Sequence, residues 1–304
     1  MTESLELRLA SPAIADIGHV RMVVAGPAGT LVAGTTGIAR ENGGAWKREA
    51  TPCASSDWIA REEDFLTIEN DGTGVVIDAR GERRKIPGKK PDTHVELGAT
   101  QSAWDPERGA LVRFGGTVRG EKFSDDTREW RDGAWRDVAT KTRPAARTKA
   151  AMTYVPPLAG IVMVGGWATD HLADTALFDG REWTVWDAPM PAEATQNTPG
   201  VLFFDAISKQ LVQSRIVDAP RGREIALWRF VGEGRWQLAG KLSALADVEN
   251  DDRWLSRVLS LGWSFDPKAR AIVAAGTHQG LVVGRAELGP WLDALEPVGW
   301  SPSA

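Results

Sequence analysis

Polar side chains that could hold a charged or hydrogen-bonding ligand recur along this chain in step with an internal repeat. Glu96, Gln196 and Arg257 occupy equivalent positions, and Arg147 and Asn197 occupy the position that follows. Ionised groups of this kind make charge-assisted hydrogen bonds, which are shorter and stronger than neutral ones. If the fold brings the five together, they line a funnel that binds a polar ligand. The alternative is that they pair with one another and with water.

Acid–base chemistry is the second use that these residue types allow. Glu96 is the candidate base, and His171 or His278 is the candidate acid, because a histidine titrates near neutral pH. His19 and His94 complete the set of histidines, and all four fall in segments that we expect on one face, so a composite metal site is conceivable. No two of them have the spacing of a metal-ligand pair, so scattered surface histidines are the favoured interpretation and no metal is predicted.

Trp167 is the candidate aromatic contact. It follows the doublet Gly165-Gly166 directly, at the start of a loop that we expect on the face with the polar funnel. An exposed indole ring could hold a sugar or an aromatic side chain. The alternative is that Trp167 packs onto a neighbouring part of the fold.

An internal sequence repeat predicts the strands and turns that position these residues. Residues 104–116 match residues 154–166, which lie fifty positions later. Each segment begins on an aromatic residue, Trp104 or Tyr154, and ends on a glycine doublet. A further step of fifty reaches Phe204, and a step of 61 reaches Phe265. Each copy reads as a strand ending on an aromatic residue, a tight turn, and a second strand of β-branched residues, which predicts a hairpin.

Each unit also contains a second motif, a turn with glycine or charged residues that is followed by tryptophan. It occurs at Trp46, Trp135, Trp183, Trp236 and Trp291. Periodic hairpins of this kind predict an all-β fold, a six-bladed β-propeller forming a single domain over residues 1–304. The predicted blades are 17–50, 51–92, 93–140, 145–190, 194–240 and 254–300. Residues 5–9 alternate apolar and polar side chains and could add a strand that closes the ring.

The chain resembles the Kelch repeat family and its galactose-oxidase-like propellers. The resemblance rests on Gly115-Gly116 followed by Trp130 and Trp135, and on Gly165-Gly166 followed by Phe178 and Trp183. It is good over residues 94–190, partial over 194–300 and weak over 1–92. The family implies loops around a central depression that bind ligands. Its copper-radical chemistry is excluded, because Tyr154 is the only tyrosine and occupies a repeat position.

The composition limits the kinds of partner that this chain is expected to bind. The net charge is −5, with 36 basic and 41 acidic residues, so no nucleic acid is expected as a partner. No apolar stretch is long enough to span a membrane, and the first residues do not read as a signal peptide. Cys53 is the only cysteine, which excludes an internal disulfide. These features predict a cytoplasmic protein without a membrane partner.

Two functions fit these residues and this predicted fold. The first is a propeller without metal or cofactor that binds a peptide or other small-molecule ligand in the central depression of its looped face. That face is expected to carry residues 117–126, 167–174, 218–223 and 277–280. The second is a cofactor-free enzyme, a cyclase, lyase or isomerase that acts on a peptide by acid–base catalysis. The alanine- and arginine-rich composition looks bacterial, where such a propeller could serve natural-product maturation.

Overall fold

The structure is a computed structural model whose regular secondary structure is almost entirely β-strand. It describes residues 5–6, 8–10, 17–49, 58–69, 71–89, 97–98, 101–118, 122–191, 200–219, 222–243, 262–277 and 281–300. Apart from one turn of 3₁₀ helix (Pro156–Leu158), the described helical structure is α1 (Gly289–Asp293).

The strands are short because turns interrupt the chain every few residues. In chain order they are β1 (Leu5–Glu6), β2 (Arg8–Ala10), β3 (Val20–Gly26), β4 (Gly29–Gly34), β5 (Ile38–Asn42), β6 (Ala45–Glu49), β7 (Trp58–Ala60), β8 (Asp64–Ile68), β9 (Gly74–Asp78), β10 (Arg83–Ile86), β11 (Leu97–Gly98), β12 (Gln101–Asp105), β13 (Ala110–Phe114), β14 (Thr117–Val118), β15 (Lys122–Phe123), β16 (Thr127–Arg131), β17 (Ala134–Val138), β18 (Ala151–Val155), β19 (Gly160–Trp167), β20 (His171–Phe178), β21 (Trp183–Trp186), β22 (Leu202–Asp205), β23 (Gln210–Ala219), β24 (Gly222–Gly232), β25 (Arg235–Ser243), β26 (Trp263–Asp266), β27 (Ala271–Thr277) and β28 (Leu281–Glu287).

These strands form six up-and-down sheets, so the chain is a six-bladed β-propeller, as the repeat predicts. The strand orders of the blades are β3-β4-β5-β6, β7-β8-β9-β10, β12-β13-β16-β17, β18-β19-β20-β21, β22-β23-β24-β25-β1 and β26-β27-β28-β2. A small extra sheet, β11-β14-β15, is an elaboration of the third blade that the sequence pattern did not indicate.

The chain divides into two compact units. The first comprises Met1–Ile86, Asp218–Ile225 and Gly240–Ala294, and the second comprises Pro87–Val217, Ala226–Ala239 and Leu295–Ala304. The first therefore holds blades one, two and six, and the second holds blades three and four with most of blade five. The predicted single domain over 1–304 and its blade boundaries stay predictions.

The strand pairing reproduces the repeat seen in the sequence. In blades three to six, the aromatic residue one position before the end of the first strand pairs with an aliphatic residue of the second. The pairs are Trp104 with Leu111, Tyr154 with Ile161, Phe204 with Leu211, and Phe265 with Ile272. Because successive residues of a strand point to opposite faces, this common register gives these blades the same inward and outward residues.

Aspartates shape three of the turns between first and second strands. Asp105, Asp205 and Asp266 each accept a hydrogen bond from the backbone N–H three residues on, at 2.9–3.1 Å. This contact takes the place of a backbone hydrogen bond in the turn. It explains why the residue after the repeated aromatic residue is so often aspartate. Blade four has no aspartate there and uses its 3₁₀ turn instead.

The tryptophans that recur in phase with the repeat in blades four and five are buried in the core. Trp183 packs edge-on against Phe114 of blade three at 5.1 Å, and its Nε1 donates to Thr127 Oγ1 at 2.8 Å. Trp236 makes the same contact one blade later, donating to Thr175 Oγ1 at 2.9 Å. Each indole thus joins its own blade to the preceding one, and its N–H has the partner that a buried donor requires.

The first unit shows one difference from the predicted blade pattern. Trp291 lies in helix α1, and the fourth strand of blade six is β2, which pairs with β28 from Arg8 opposite Arg285 to Ala10 opposite Val283. The short strand β1 pairs in parallel with the end of β25. Pro290 at the start of α1 is suited to the first turn of a helix, where its missing N–H costs nothing. Among the helices in the described residues, none has the length and apolar character needed to cross a membrane.

Candidate functional site

The candidate site is the end of blade four where β19 turns into β20. The segment entering the blade lies beside this turn: Trp167 N–H donates to Thr148 O at 2.7 Å, and Thr148 N–H donates to Trp167 O at 2.8 Å. The loop after a blade's second strand and the segment entering that blade therefore share one end, as we expect for a looped face.

Trp167 and His171 form an aromatic pair at this end, in which Trp167 is exposed and His171 is half-buried. They face each other across the hairpin, and their rings meet nearly edge-on with centroids 4.8 Å apart. Trp167 is 37% exposed, one of the few large apolar side chains to reach solvent in the described part of the chain. Its backbone is held by the two bonds to Thr148, and its ring rests against that of His171.

Arg147 lies beneath this surface and is committed to neighbours within the protein. Its side chain is 1% exposed, and its guanidinium makes a two-pronged pair with the Asp174 carboxylate at 2.6 and 2.7 Å. It also donates to Gly165 O at 2.9 Å and to Ala145 O at 2.8 Å. Such an arrangement satisfies most of the donors of a buried guanidinium and fixes the β19–β20 hairpin to the chain that enters the blade.

The glycine doublet makes room for two arginines. A Cβ on Gly166 would lie 3.2 Å from Cδ of Arg147 and 2.8 Å from Thr148 O. A Cβ on Gly165 would lie 2.6 Å from Nη2 of Arg215, which comes from β23 of blade five. Both glycines also have φ values, +62° and +117°, that other residues avoid. The doublet is thus needed for side-chain packing as well as for backbone shape.

Arg215 occupies the position where blades three and four have the first glycine of the doublet. It is buried, and burial lowers the pKa of its guanidinium to about 10. That value is above neutral pH, so the group remains charged there. A positive charge is therefore held between blades four and five, close to the turn that carries Trp167.

The loop of blade three supports the same region. Gly116 N–H donates to Arg147 O at 2.8 Å, and Arg147 N–H donates to Ser124 O at 3.1 Å. The small sheet β11-β14-β15 extends this loop, with Thr117 opposite Phe123. Residues 117–126, predicted as part of the looped face, thus contact the backbone of Arg147 through Ser124.

No family model matches the chain. No curated protein is significantly similar to it either. The functional assignment therefore depends on the geometry of the described residues.

Three of the predicted site residues are described, and the structure brings them to one blade end: Arg147, Trp167 and His171. Glu96, Gln196, Asn197, Arg257 and His278 lie outside the described residues, as does His94. His19 is exposed in the first unit, where its backbone N–H donates to Thr35 Oγ1. Within the described ranges, no three histidine, cysteine or acidic side chains are grouped so that they could hold a metal. The ligand-binding and catalytic roles stay predictions.

Sequence reasoning missed Asp174 and Arg215 as members of this site. Asp174 was placed in the looped segment 167–174, but nothing in its spacing indicated a partner for Arg147. In the sequence, Arg215 lies fifty residues after Gly165 and so interrupts the glycine doublet in blade five. That interruption was the available signal, because a large charged residue in place of a glycine must occupy space that the neighbouring blade leaves open.

Proposed function

We propose that the chain is a Kelch-type propeller that binds a peptide or other small polar ligand at the looped end of blade four. Trp167 is the main contact surface, and Arg215 provides a nearby positive charge. The proposal is supported chiefly by one observation: Trp167 is exposed although its backbone is held by two hydrogen bonds and its ring rests against His171. Fixed, exposed tryptophans commonly dominate the binding energy of an interface.

The Kelch assignment is supported by the two doublets. Gly115-Gly116 directly follows the second strand of blade three, and Gly165-Gly166 lies near the end of the second strand of blade four. All four glycines have positive φ values. Each doublet precedes a buried aromatic residue in the third strand, Trp130 or Phe178. This order of features is the one on which the resemblance rests.

A phage-displayed library of random dodecapeptides, selected on the immobilised protein, tests the proposed function. We expect the wild-type chain to enrich a peptide family that the Trp167→Ala variant does not retain. Loss of the indole should weaken the best peptide by about thirtyfold or more, the effect of losing a binding hot spot of about 2 kcal/mol. Affinities measured by calorimetry on both proteins provide the number.

The matched control is Val185→Ala. Val185 is exposed to a similar extent, 39%, but lies on the outer strand β21, away from the β19–β20 turn. Its variant should bind the selected peptide as the wild type does. Selection of peptides that bind all three proteins equally would show that Trp167 is not the contact surface, and the proposed function would be wrong.

A further inference from the structure

Strand β10 forms the outer edge of blade two. It pairs antiparallel with β9 on one side, and no strand in the described part of the chain pairs with its other side. Asp78 N–H donates to Glu82 O at 3.1 Å, which identifies a hydrogen-bonded pair at the start of the ladder. Such pairs alternate with non-hydrogen-bonded ones along an antiparallel ladder. Arg84 is therefore bonded to β9, whereas the backbone N–H and C=O groups of Arg83 and Lys85 point away from it.

The first three side chains of β10 are basic and exposed to solvent. Arg83 and Lys85 lie on one face of the strand and Arg84 on the other, because successive side chains alternate. Residues 80–86 contain four basic residues and one acidic residue, a net charge of +3 in a chain whose net charge is −5. The edge of blade two is therefore a local positive patch on an acidic protein.

The carboxylates of blade two offset little of this charge. Asp64 lies 3.4 Å from Arg84, but Arg61 already holds it through two bonds of 2.6 Å. Glu69 lies 3.7 Å from Lys85, whose side chain is exposed. Ion pairs in which one side chain is exposed to solvent are weak. The basic side chains of β10 are thus able to pair with a binding partner.

Protection of a sheet edge is the other explanation for charged residues on an outer strand, since charges discourage edge-to-edge pairing. The blades of this protein do not share that device. The outer strand of blade four, β21, has no charged residue, and β17 of blade three has one of each sign. Three consecutive basic residues therefore go beyond what edge protection requires here, and they suit a strand with acidic side chains.

We propose that β10 binds an extended acidic segment of a partner protein, which adds to blade two as a further strand. The backbone of that segment bonds to the outward groups of Arg83 and Lys85, and three consecutive acidic side chains lie opposite the three basic ones. A peptide strand is favoured over nucleic acid because only a strand uses the outward backbone groups. This interaction does not depend on the proposed function.

Amide hydrogen exchange followed by NMR tests whether a strand is added. The probe is a fluorescein-labelled dodecapeptide with three central glutamates between β-branched residues, added to the full chain. At saturation, exchange should slow about tenfold or more at Arg83 and Lys85 and change little at Arg84, whose N–H is already bonded. Bound peptide without protection of Arg83 and Lys85 would overturn the proposal, and so would failure of the peptide to bind.

Variants of the strand test the role of its charge. The double variant Arg83→Gln with Lys85→Gln should bind the peptide about tenfold more weakly in fluorescence anisotropy, since each cross-strand ion pair contributes about threefold. Arg136→Gln removes an exposed arginine from β17 and should bind as the wild type does. Equal binding by all three proteins would place the peptide elsewhere and contradict the proposal. Equally tight binding of a short DNA duplex at β10 would also contradict it, because the strand would then attract any polyanion.

Discussion

Replacing Arg147 with methionine is expected to lower the free energy of unfolding by about 3 kcal/mol. The variant leaves the Asp174 carboxylate without its partner, and the carbonyl groups of Gly165 and Ala145 each lose a donor. Breaking a buried ion pair by removing one side typically costs about 3–5 kcal/mol. We expect the lower end of that range because the Asp174 side chain is 26% exposed and water can reach it. Urea unfolding followed by tryptophan fluorescence measures the loss.

Arg143→Met is the control for Arg147→Met. Arg143 pairs with Asp125 at 3.4 Å, but both side chains are more than 40% exposed. Exposed pairs contribute little, so this variant should lose less than about 1 kcal/mol. The double variant Arg147→Met with Asp174→Leu should recover part of the loss, since it removes the stranded charge. Equal losses for Arg143→Met and Arg147→Met would show that the buried pair does not hold the hairpin.

Replacing Gly115 with alanine is expected to destabilise the protein by about 3 kcal/mol as well. Gly115 has φ +67°, and a Cβ there would lie 2.2 Å from Arg147 O, a backbone atom that cannot rotate away. The left-handed backbone conformation costs an alanine about 1–2 kcal/mol, and relief of the contact adds about 1–3 kcal/mol. The displaced carbonyl is the one that accepts from Gly116 N–H, so the junction between blades three and four should loosen.

Gly43→Ala separates the two causes of this loss. Gly43 has nearly the same φ, +62°, but a Cβ there would meet nothing within 4 Å. It should therefore show only the conformational cost, about 1–2 kcal/mol. The difference between the two variants measures the close contact at the blade junction. If Gly43→Ala and Gly115→Ala are equally destabilising, the packing of Gly115 against Arg147 has no energetic importance.

The repeat made the fold predictable, because each copy carries its own turn and its own aromatic residue near the end of the first strand. Tyr154 and Phe204 occupy the same register position in their blades, and the six blades follow from counting such units. Three features needed the structure. The mini-sheet β11-β14-β15 has strands of two residues, too short to give a pattern. The outer strand of blade six comes from the opposite end of the chain, and Trp291 lies in a helix although its turn resembles the others.

The candidate site was only partly predictable. The exposed position of Trp167 follows from its place after a doublet at a strand end, and the repeat register singled out Arg147 as an inward polar residue. Its partner could not be found in the same way, because Asp174 is 27 residues away on strand β20, in a hairpin whose register shifts between Val164 and Gly166. Arg215 was hidden for a similar reason, because it departs from the repeat and only the structure shows that its guanidinium reaches Gly165.

The measurement that tests the central claim most directly is fluorine NMR of the protein labelled with 5-fluorotryptophan. The chain has fourteen tryptophans, and the Trp167→Phe variant identifies the resonance of Trp167 by its disappearance. On titration with the selected peptide, that resonance should shift with the same dissociation constant that calorimetry gives, and those of the buried Trp183 and Trp236 should stay in place. If Trp167 is unmoved at saturation while another tryptophan shifts, the ligand binds elsewhere and the looped end of blade four is not its site.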